Sequence, residues 1–188
     1  IENAEAFFRS NLEYKLNSIN AEDEEIGNIL KLEYGKGLPK EDRNDDGVYP
    51  AYGANGIKYK TNNFLYENPS IIVGRKGSAG EITLTEPKFW ALDVTYYVTF
   101  DEERYSLDFL YYLLKKLDLP SLATGVKPGI NRNNVYSISV KVPTLSSQQR
   151  ISTVLKETDT RYNKLISIYQ QKLSEYINLK LAILNRAF

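Results

Sequence analysis

Four loop-like stretches of the sequence combine glycine or asparagine with basic, hydroxyl or aromatic side chains. They are residues 34–40 (YGKGLPK), 52–57 (YGANGI), 74–80 (GRKGSAG) and 124–133 (TGVKPGINRN). Glycine lets a backbone approach a ligand closely or adopt a positive φ angle. Lysine, arginine and asparagine supply donors to phosphates and to the edges of bases. This combination suits DNA better than it suits a small metabolite.

Two of the loops also have structural explanations. Asn55-Gly56 lies between two short β-rich runs and is the pair expected for a tight hairpin turn, so this explanation is favoured for the asparagine itself. Residues 74–80 lack the spacing of a phosphate-binding P-loop and precede a strand, which favours a surface turn. Arg75 and Lys76 nevertheless place two adjacent cations on one loop, and charged side chains on such loops seldom contribute to a hydrophobic core.

The residue types restrict the chemistry further. The 188 residues include no cysteine and no histidine, which excludes disulfides, thiolate zinc sites, Ser-His-Asp triads and zinc hydrolases. Two acidic groups could act as metal ligands or as paired catalytic carboxylates: residues 101–103, and residues 42, 45 and 46. No apolar sequence that would form a pocket surrounds them, so we favour solvated turns at both places. We therefore predict no catalytic residue, no metal and no cofactor.

The charges balance overall but are segregated along the chain. Residues 1–30 carry 2 basic and 7 acidic side chains, whereas residues 121–188 carry 10 and 3. Segregation of this kind can also arise because helices face different neighbours, so charge alone does not establish a nucleic-acid partner.

Nothing in the sequence suggests a membrane or secreted protein. It contains no run of about 18 apolar residues and no leader-like start, so we predict a cytoplasmic protein. Because the chain begins at Ile1 rather than methionine, we expect it to be a fragment of a longer polypeptide.

The last 41 residues, from Gln148 to Phe188, contain neither glycine nor proline and carry apolar side chains at helical spacing. We predict one long helix, capped by Ser146 or Ser147. At ~1.5 Å per residue it is roughly 60 Å long, too long to be covered by the preceding domain. A seam at heptad spacing therefore predicts a coiled-coil partner. The predicted partner-facing residues are Leu155, Tyr162, Leu165, Ile166, Tyr169, Leu173, Tyr176 and Ile183.

The rest of the chain combines short helices with short strands. A helix is predicted over residues 2–17 and another over 106–119, and strands over 48–52, 70–74, 81–85, 93–100 and 137–142. We predict an α+β fold: a mixed α/β globule with a long C-terminal helix and a short N-terminal helix. The predicted domains are 1–20, 21–145 and 146–188.

Four sequence blocks, taken in order, resemble the DNA specificity (S) subunit of Type I restriction-modification systems. They are residues 35–39, 49–57, 71–80 and 142–151. The most specific block is the Pro-x-Leu-x-x-Gln-x-x-Ile junction that begins at Pro143 and leads into the long helix. The resemblance spans nearly the whole chain, and this chain would supply one target-recognition domain and one helix.

The resemblance implies a non-catalytic subunit that reads half of a bipartite target in double-stranded DNA. It also implies modification subunits, which carry the methyltransferase, as partners, with restriction subunits as further candidates. The long helix would pair with a second conserved helix or a second copy of the chain, depending on whether the chain is half of a complete subunit or a natural half-subunit. The alternative is a scaffold that pairs through its long helix without DNA.

The four loops supply the DNA-facing candidates that the resemblance implies. Arg75, Lys76, Lys127 and Arg132 suit phosphate contact or guanine readout, while Asn55 and Asn131 suit adenine. The full set is Lys36, Lys40, Tyr52, Asn55, Lys58, Tyr59, Arg75, Lys76, Ser78, Thr124, Lys127, Asn131, Arg132 and Asn133.

Overall fold

The structure is a computed structural model that describes residues 2–126 and 128–187, with the side chains of residues 10–126 and 128–185. Helix α1 spans Glu2–Asn17 and helix α5 spans Leu145–Ala187, so both terminal helices are confirmed. Helix α5 begins before the predicted caps. Thr144 directly precedes it, and the Thr144 carbonyl accepts the N–H groups of Ser147 and Gln148 at 2.9 Å each. The predicted caps Ser146 and Ser147 therefore already lie within the helix.

A four-stranded antiparallel sheet forms the centre of the globule. Its strand order is β2 (Leu30–Tyr34), β8 (Thr95–Phe100), β5 (Ile71–Gly74) and β6 (Ile82–Leu84). Alternate side chains of β5 point to opposite faces, and both faces are buried. Ile71 and Val73 belong to the main hydrophobic core, which includes helix α3 (Leu107–Lys116), whereas Ile72 packs with a second cluster.

The second cluster joins this sheet to a smaller one. Strand β3 (Tyr49–Gly53) lies between β4 (Gly56–Thr61) and the short parallel strand β7 (Trp90–Ala91). A hairpin turn at Ala54–Asn55 joins β3 to β4, so the predicted tight turn is confirmed, one residue earlier than the Asn55-Gly56 pair. Phe89 and Ala91 are buried against Ile72.

A two-stranded ribbon brings the beginning and the end of the globule together. Strand β1 (Asp23–Glu25) pairs antiparallel with β9 (Ser139–Lys141). The one-turn helix α2 (Ile26–Ile29) follows β1 and packs against helix α4 (Arg132–Tyr136), which precedes β9. The chain therefore enters and leaves the globule at one place.

The base of α5 docks on the chain's own core. Helix α5 packs on α1 and α3, and the ion pairs Lys156–Asp108 (3.5 Å) and Lys115–Asp159 (3.9 Å) join it to α3. The prediction that Leu155 faces a partner helix is wrong, because this side chain is 1% exposed within the main core. Tyr162 also packs against that core.

The distal part of α5 has a different environment. Its seam residues are 42–67% exposed: Leu165, Tyr169, Leu173, Tyr176 and Ile183. Ile166 is half-buried. The distal part of α5 therefore carries the predicted apolar seam, together with other apolar side chains. Within the described residues, no helix is both long and apolar enough to cross a membrane.

Candidate nucleic-acid interface

Three of the four predicted loops line one groove, with a volume of about 580 Å³. Strand β3 and the hairpin turn carry the second loop to the groove, and strand β5 ends where the third loop begins. The first loop contributes Gly37 and Leu38, and donor-bearing side chains reach the walls from the third loop, from the hairpin and from Arg43, together with the acidic side chain of Asp93. The polar and aromatic lining residues are Arg43, Asn55, Lys58, Tyr59, Lys76, Ser78 and Asp93.

The third loop is a tight turn that requires glycine at two positions. A Cβ atom added at Gly74 would collide with the Ser78 carbonyl oxygen, and one added at Gly80 would collide with the backbone of Pro120. Gly80 also has a φ of +88°, which is unfavourable for other residues. The Gly80 N–H donates to the Gly74 carbonyl at 2.8 Å and closes the turn. Arg75 and Lys76 therefore extend from a constrained backbone.

The fourth loop is bonded to the third through backbone groups. The Ile130 N–H donates to the Arg75 carbonyl at 3.0 Å, and Gly129 forms isolated β-bridges with Lys76 and with Thr124. Because Thr124 and Gly129 exchange two hydrogen bonds of 3.1 Å, the tip of this loop is a small closed turn. The predicted contact Lys127 lies outside the described residues.

Arg75 and Arg132 both lie against the ring of Tyr34. The guanidinium carbon of Arg75 is 5.2 Å from the ring centroid, and that of Arg132 is 4.9 Å from it. Tyr34 ends strand β2 and is 47% exposed. An Nη1 group of Arg132 donates to the Leu32 carbonyl at 3.3 Å. The third and fourth loops thus meet at the end of the central sheet.

Tyr96 contacts both the Tyr34 ring of this cluster and the backbone of the fourth loop. Its ring centroid lies 5.1 Å from that of Tyr34, and its hydroxyl donates to the Ile130 carbonyl at 3.1 Å. Burial raises the pKa of the Tyr96 phenol, and the Tyr34 phenol raises it further, whereas the Arg75 and Arg132 guanidiniums lower it. The net effect is a raised pKa, because burial outweighs the opposing effect of the two arginines.

A second arginine and tyrosine pair lies at the groove. The guanidinium carbon of Arg43 is 4.4 Å from the ring centroid of Tyr59, and its Nε and Nη2 groups donate to the Leu38 carbonyl at 3.2 and 3.0 Å. The sequence analysis included Tyr59 but missed Arg43 and Tyr34. Tyr34 lies in the first glycine-rich stretch, and this position is the sequence feature by which it could have been selected as a candidate.

The remaining predicted contacts divide by exposure. Tyr52 is 5% exposed and packs edge-on against Phe89 at 5.8 Å between ring centroids, so the prediction of an exposed, DNA-facing Tyr52 is wrong. Burial also raises the pKa of its phenol. The exposed candidates are Lys36, Lys40, Asn55, Lys58, Tyr59, Lys76, Thr124, Asn131 and Asn133, and Arg75, Ser78 and Arg132 are half-buried.

Asn131 and Lys36 have structural contacts in addition to their exposure. The Oδ1 atom of Asn131 accepts the N–H of Asn133 at 3.0 Å and caps helix α4. The Lys36 N–H donates to the Ala91 carbonyl at 2.8 Å, and the Lys36 carbonyl accepts from the Trp90 indole at 2.9 Å. Across the described residues, no group of three or more acidic side chains is arranged to hold a metal ion.

The chain matches a known family of DNA specificity domains. The family model described as Type I restriction modification DNA specificity domain matches residues 19–175. The chain therefore belongs to this family, which confirms the resemblance inferred from the loop blocks and the Pro143 junction.

Relatives and solved structures extend this result. The curated Type I restriction enzyme EcoprrI specificity subunit from Escherichia coli is 21% identical over 169 residues, which cover 87% of this chain and 42% of that subunit. This chain thus spans less than half of that relative's length.

Two solved structures share the fold. The S subunit of the Type-I restriction-modification system from M. genitalium aligns with a TM-score of 0.68 and 24% identity, covering 82% of this chain and 43% of that one. A chain from a type I R-M system, solved to explain complex assembly and conformational transition, aligns with a TM-score of 0.80 and 16% identity, covering 100% of this chain and 52% of that one. These alignments confirm the α+β fold with its long helix.

Proposed function

We propose that this chain is the part of a non-catalytic specificity subunit that reads one half of a bipartite target in double-stranded DNA. The observation that carries the proposal is that three of the four loops, separate in the sequence, line one groove, and the fourth is bonded to the third. Family membership supports the same function. The groove between the loops holds donors suited to bases and phosphates in one continuous surface.

The side chains of this surface suit two kinds of contact. Asn55 at the hairpin turn and Ser78 on the third loop carry short polar groups suited to base edges, because such groups can both donate and accept. Lys58 and Lys76 carry point charges suited to phosphates. The proposal therefore assigns sequence reading chiefly to the groove and positioning to the cations around it.

Helix α5 would hold the globule at a fixed distance from a second recognition domain. Its distal apolar seam supports pairing with a second conserved helix or with a second copy of this chain. We further propose that modification subunits, which carry the methyltransferase activity, dock on the globule and the helices. We propose the same domain boundaries as those predicted from the sequence: residues 1–20, 21–145 and 146–188.

The test combines this chain with the modification subunit encoded beside its gene and selects bound duplexes from a randomised pool at two salt concentrations. We expect an enriched short motif that depends on Asn55, with Asn55→Ala relaxing the preference at one base pair by about 1–3 kcal/mol. Asn163→Ala, on the exposed surface of α5, is the matched control. Complex formation without an enriched motif would contradict the proposal.

The exposed distal seam specifically favours a second candidate function, a scaffold that pairs through α5 without DNA. Protein pairing through an apolar seam depends weakly on salt, whereas phosphate contacts give a steep linear fall of log affinity with log salt concentration. Salt-insensitive complex formation together with no DNA binding would favour the scaffold.

A further inference from the structure

We propose that Arg75, Tyr34 and Arg132 form a clamp for a phosphate of the DNA backbone, outside the base-reading groove. This inference rests on the proposed function and adds a role for a tyrosine that the sequence analysis did not select. The groove lining includes none of the three residues. The clamp therefore lies outside that groove, where the third and fourth loops meet at Tyr34.

The first argument is the way the two guanidiniums are positioned. Each lies about 5 Å from the centroid of the same ring, at 5.2 Å for Arg75 and 4.9 Å for Arg132. Cation–π attraction orients a guanidinium and reduces the freedom that a ligand must remove. The Arg132 bond to the Leu32 carbonyl ties Arg132 to strand β2, and the Ile130 N–H bond to the Arg75 carbonyl joins the two loops that carry the arginines.

The second argument is electrostatic. Within the described chain, neither Arg75 nor Arg132 has a carboxylate within the 4.0 Å of an ion pair. Two like charges held beside one ring repel each other, and a shared anion would offset that repulsion. The Arg75 Nε–H is also buried without a hydrogen-bond partner. Because this atom is buried, a phosphate at the protein surface would bind the other guanidinium nitrogens.

A phosphodiester fits these features better than a base edge does. Phosphate oxygens accept from several donors at once and carry the charge that two guanidiniums require. A guanine edge is uncharged and is fully satisfied by one arginine. The clamp therefore contributes affinity that does not depend on sequence and fixes the register in which the groove meets the bases.

The test measures binding of the full chain to a mixed-sequence 30-base-pair duplex over a series of potassium chloride concentrations. Each phosphate contact contributes about 0.9 to the slope of log affinity against log salt concentration. We expect Arg75→Gln and Arg132→Gln each to weaken binding and to reduce the slope by about that amount. Arg161→Gln is the matched control, because Arg161 lies on α5 and pairs with Glu157.

The ring and the source of phosphate are tested separately. Tyr34→Phe keeps the aromatic face and should bind as the unmodified chain does, whereas Tyr34→Ser should bind more weakly, with circular dichroism confirming that each variant is folded. Inorganic phosphate should displace the duplex no better than chloride at equal ionic strength. Displacement by phosphate at low millimolar concentration would overturn the DNA assignment in favour of a free-anion site.

The outcomes separate this inference from the function on which it rests. If the unmodified chain binds the duplex but both glutamine variants keep its affinity and salt slope, the clamp is overturned and the proposed function stands. If the unmodified chain, alone and with the modification subunit, binds no duplex at any salt concentration, both are overturned.

Discussion

The Oε1 atom of Gln148, near the start of α5, accepts the backbone N–H of Ser106 at the start of α3, at 2.9 Å. The Nε2 atom of the same side chain donates to the carbonyls of Arg104 at 3.1 Å and of Pro143 at 2.9 Å. Gln148 is 1% exposed. Its amide therefore satisfies three backbone groups and joins the long helix to the globule, which explains physically why the Pro-x-Leu-x-x-Gln junction carries a glutamine.

Replacement of Gln148 should destabilise the fold. Gln148→Ala leaves the Ser106 N–H and two carbonyls without this partner, and each unsatisfied buried group costs about 1–3 kcal/mol. We expect a loss of at least that size in the free energy of unfolding, measured by urea titration. Gln149→Ala is the control because Gln149 is exposed. Equal stability of the two variants would show that the Gln148 bonds are not important.

Substitution of Gly74 should damage the third loop specifically. In Gly74→Ala the new methyl group collides with the Ser78 carbonyl, so the turn that carries Arg75 must open. We expect weaker duplex binding and a lower unfolding midpoint, measured by fluorescence anisotropy and thermal melting. Gly37→Ala is the control for the unfolding midpoint, because an added Cβ there meets no atom within 4 Å. A Gly74→Ala variant that behaves like the control would contradict the tight-turn assignment.

The two halves of the α5 seam should respond differently to truncation. Leu155→Ala creates a cavity in the main core and should cost about 2–5 kcal/mol of stability. Leu173→Ala removes an exposed side chain and should change stability by less than about 0.5 kcal/mol. Chemical denaturation of the dilute chain distinguishes these cases, and analytical ultracentrifugation tests whether Leu173→Ala weakens association. A large stability loss from Leu173→Ala in dilute solution would contradict its exposure.

Stability should fall at alkaline pH because of buried tyrosines. Burial, followed by the charge of Asp159, raises the pKa of Tyr112 above the ordinary value of 10.0. The unfolded chain therefore loses this proton first, so the stabilisation is complete below about pH 10 and decreases as pH rises further. We expect Tyr112→Phe to reduce the steepness of this loss in urea unfolding between pH 8 and 11. Tyr176→Phe, which alters an exposed ring, should leave it unchanged.

The periodic elements could be predicted from the sequence, but the contacts between distant segments could not. Helical spacing without glycine or proline sufficed to predict α5, and the predicted strands agree with β3, β5, β6, β8 and β9 to within two residues. The sequence analysis did not predict strands β1, β2, β4 and β7. In β2 the sequence Leu-Lys-Leu-Glu-Tyr lacks β-branched residues, and its strand conformation depends on pairing with β8.

The errors at the site have the same physical origin. A heptad pattern identifies the apolar side of a helix. It does not show which turns of that helix pack against the chain's own core, and the pattern therefore predicts a partner contact for Leu155. The sequence predicts a DNA-facing Tyr52 because it does not reveal the packing of β3 against Phe89, which lies far along the chain. Tyr34 meets its two arginines only after three segments have folded together. Composition predicted the loops' chemistry, while tertiary contacts decide which side chains share a site.

The docking of the base of α5 on the globule determines how far the other end of the helix can move. The helix has 43 residues and, at ~1.5 Å per residue, is about 65 Å long. A tilt of about 5° at its docked end would displace its free end by about 6 Å, which is between one and two base-pair steps of about 3.4 Å. If a second recognition domain lies at that end, the tolerance for spacer length between half-sites depends on the angular stiffness of the joint at Gln148.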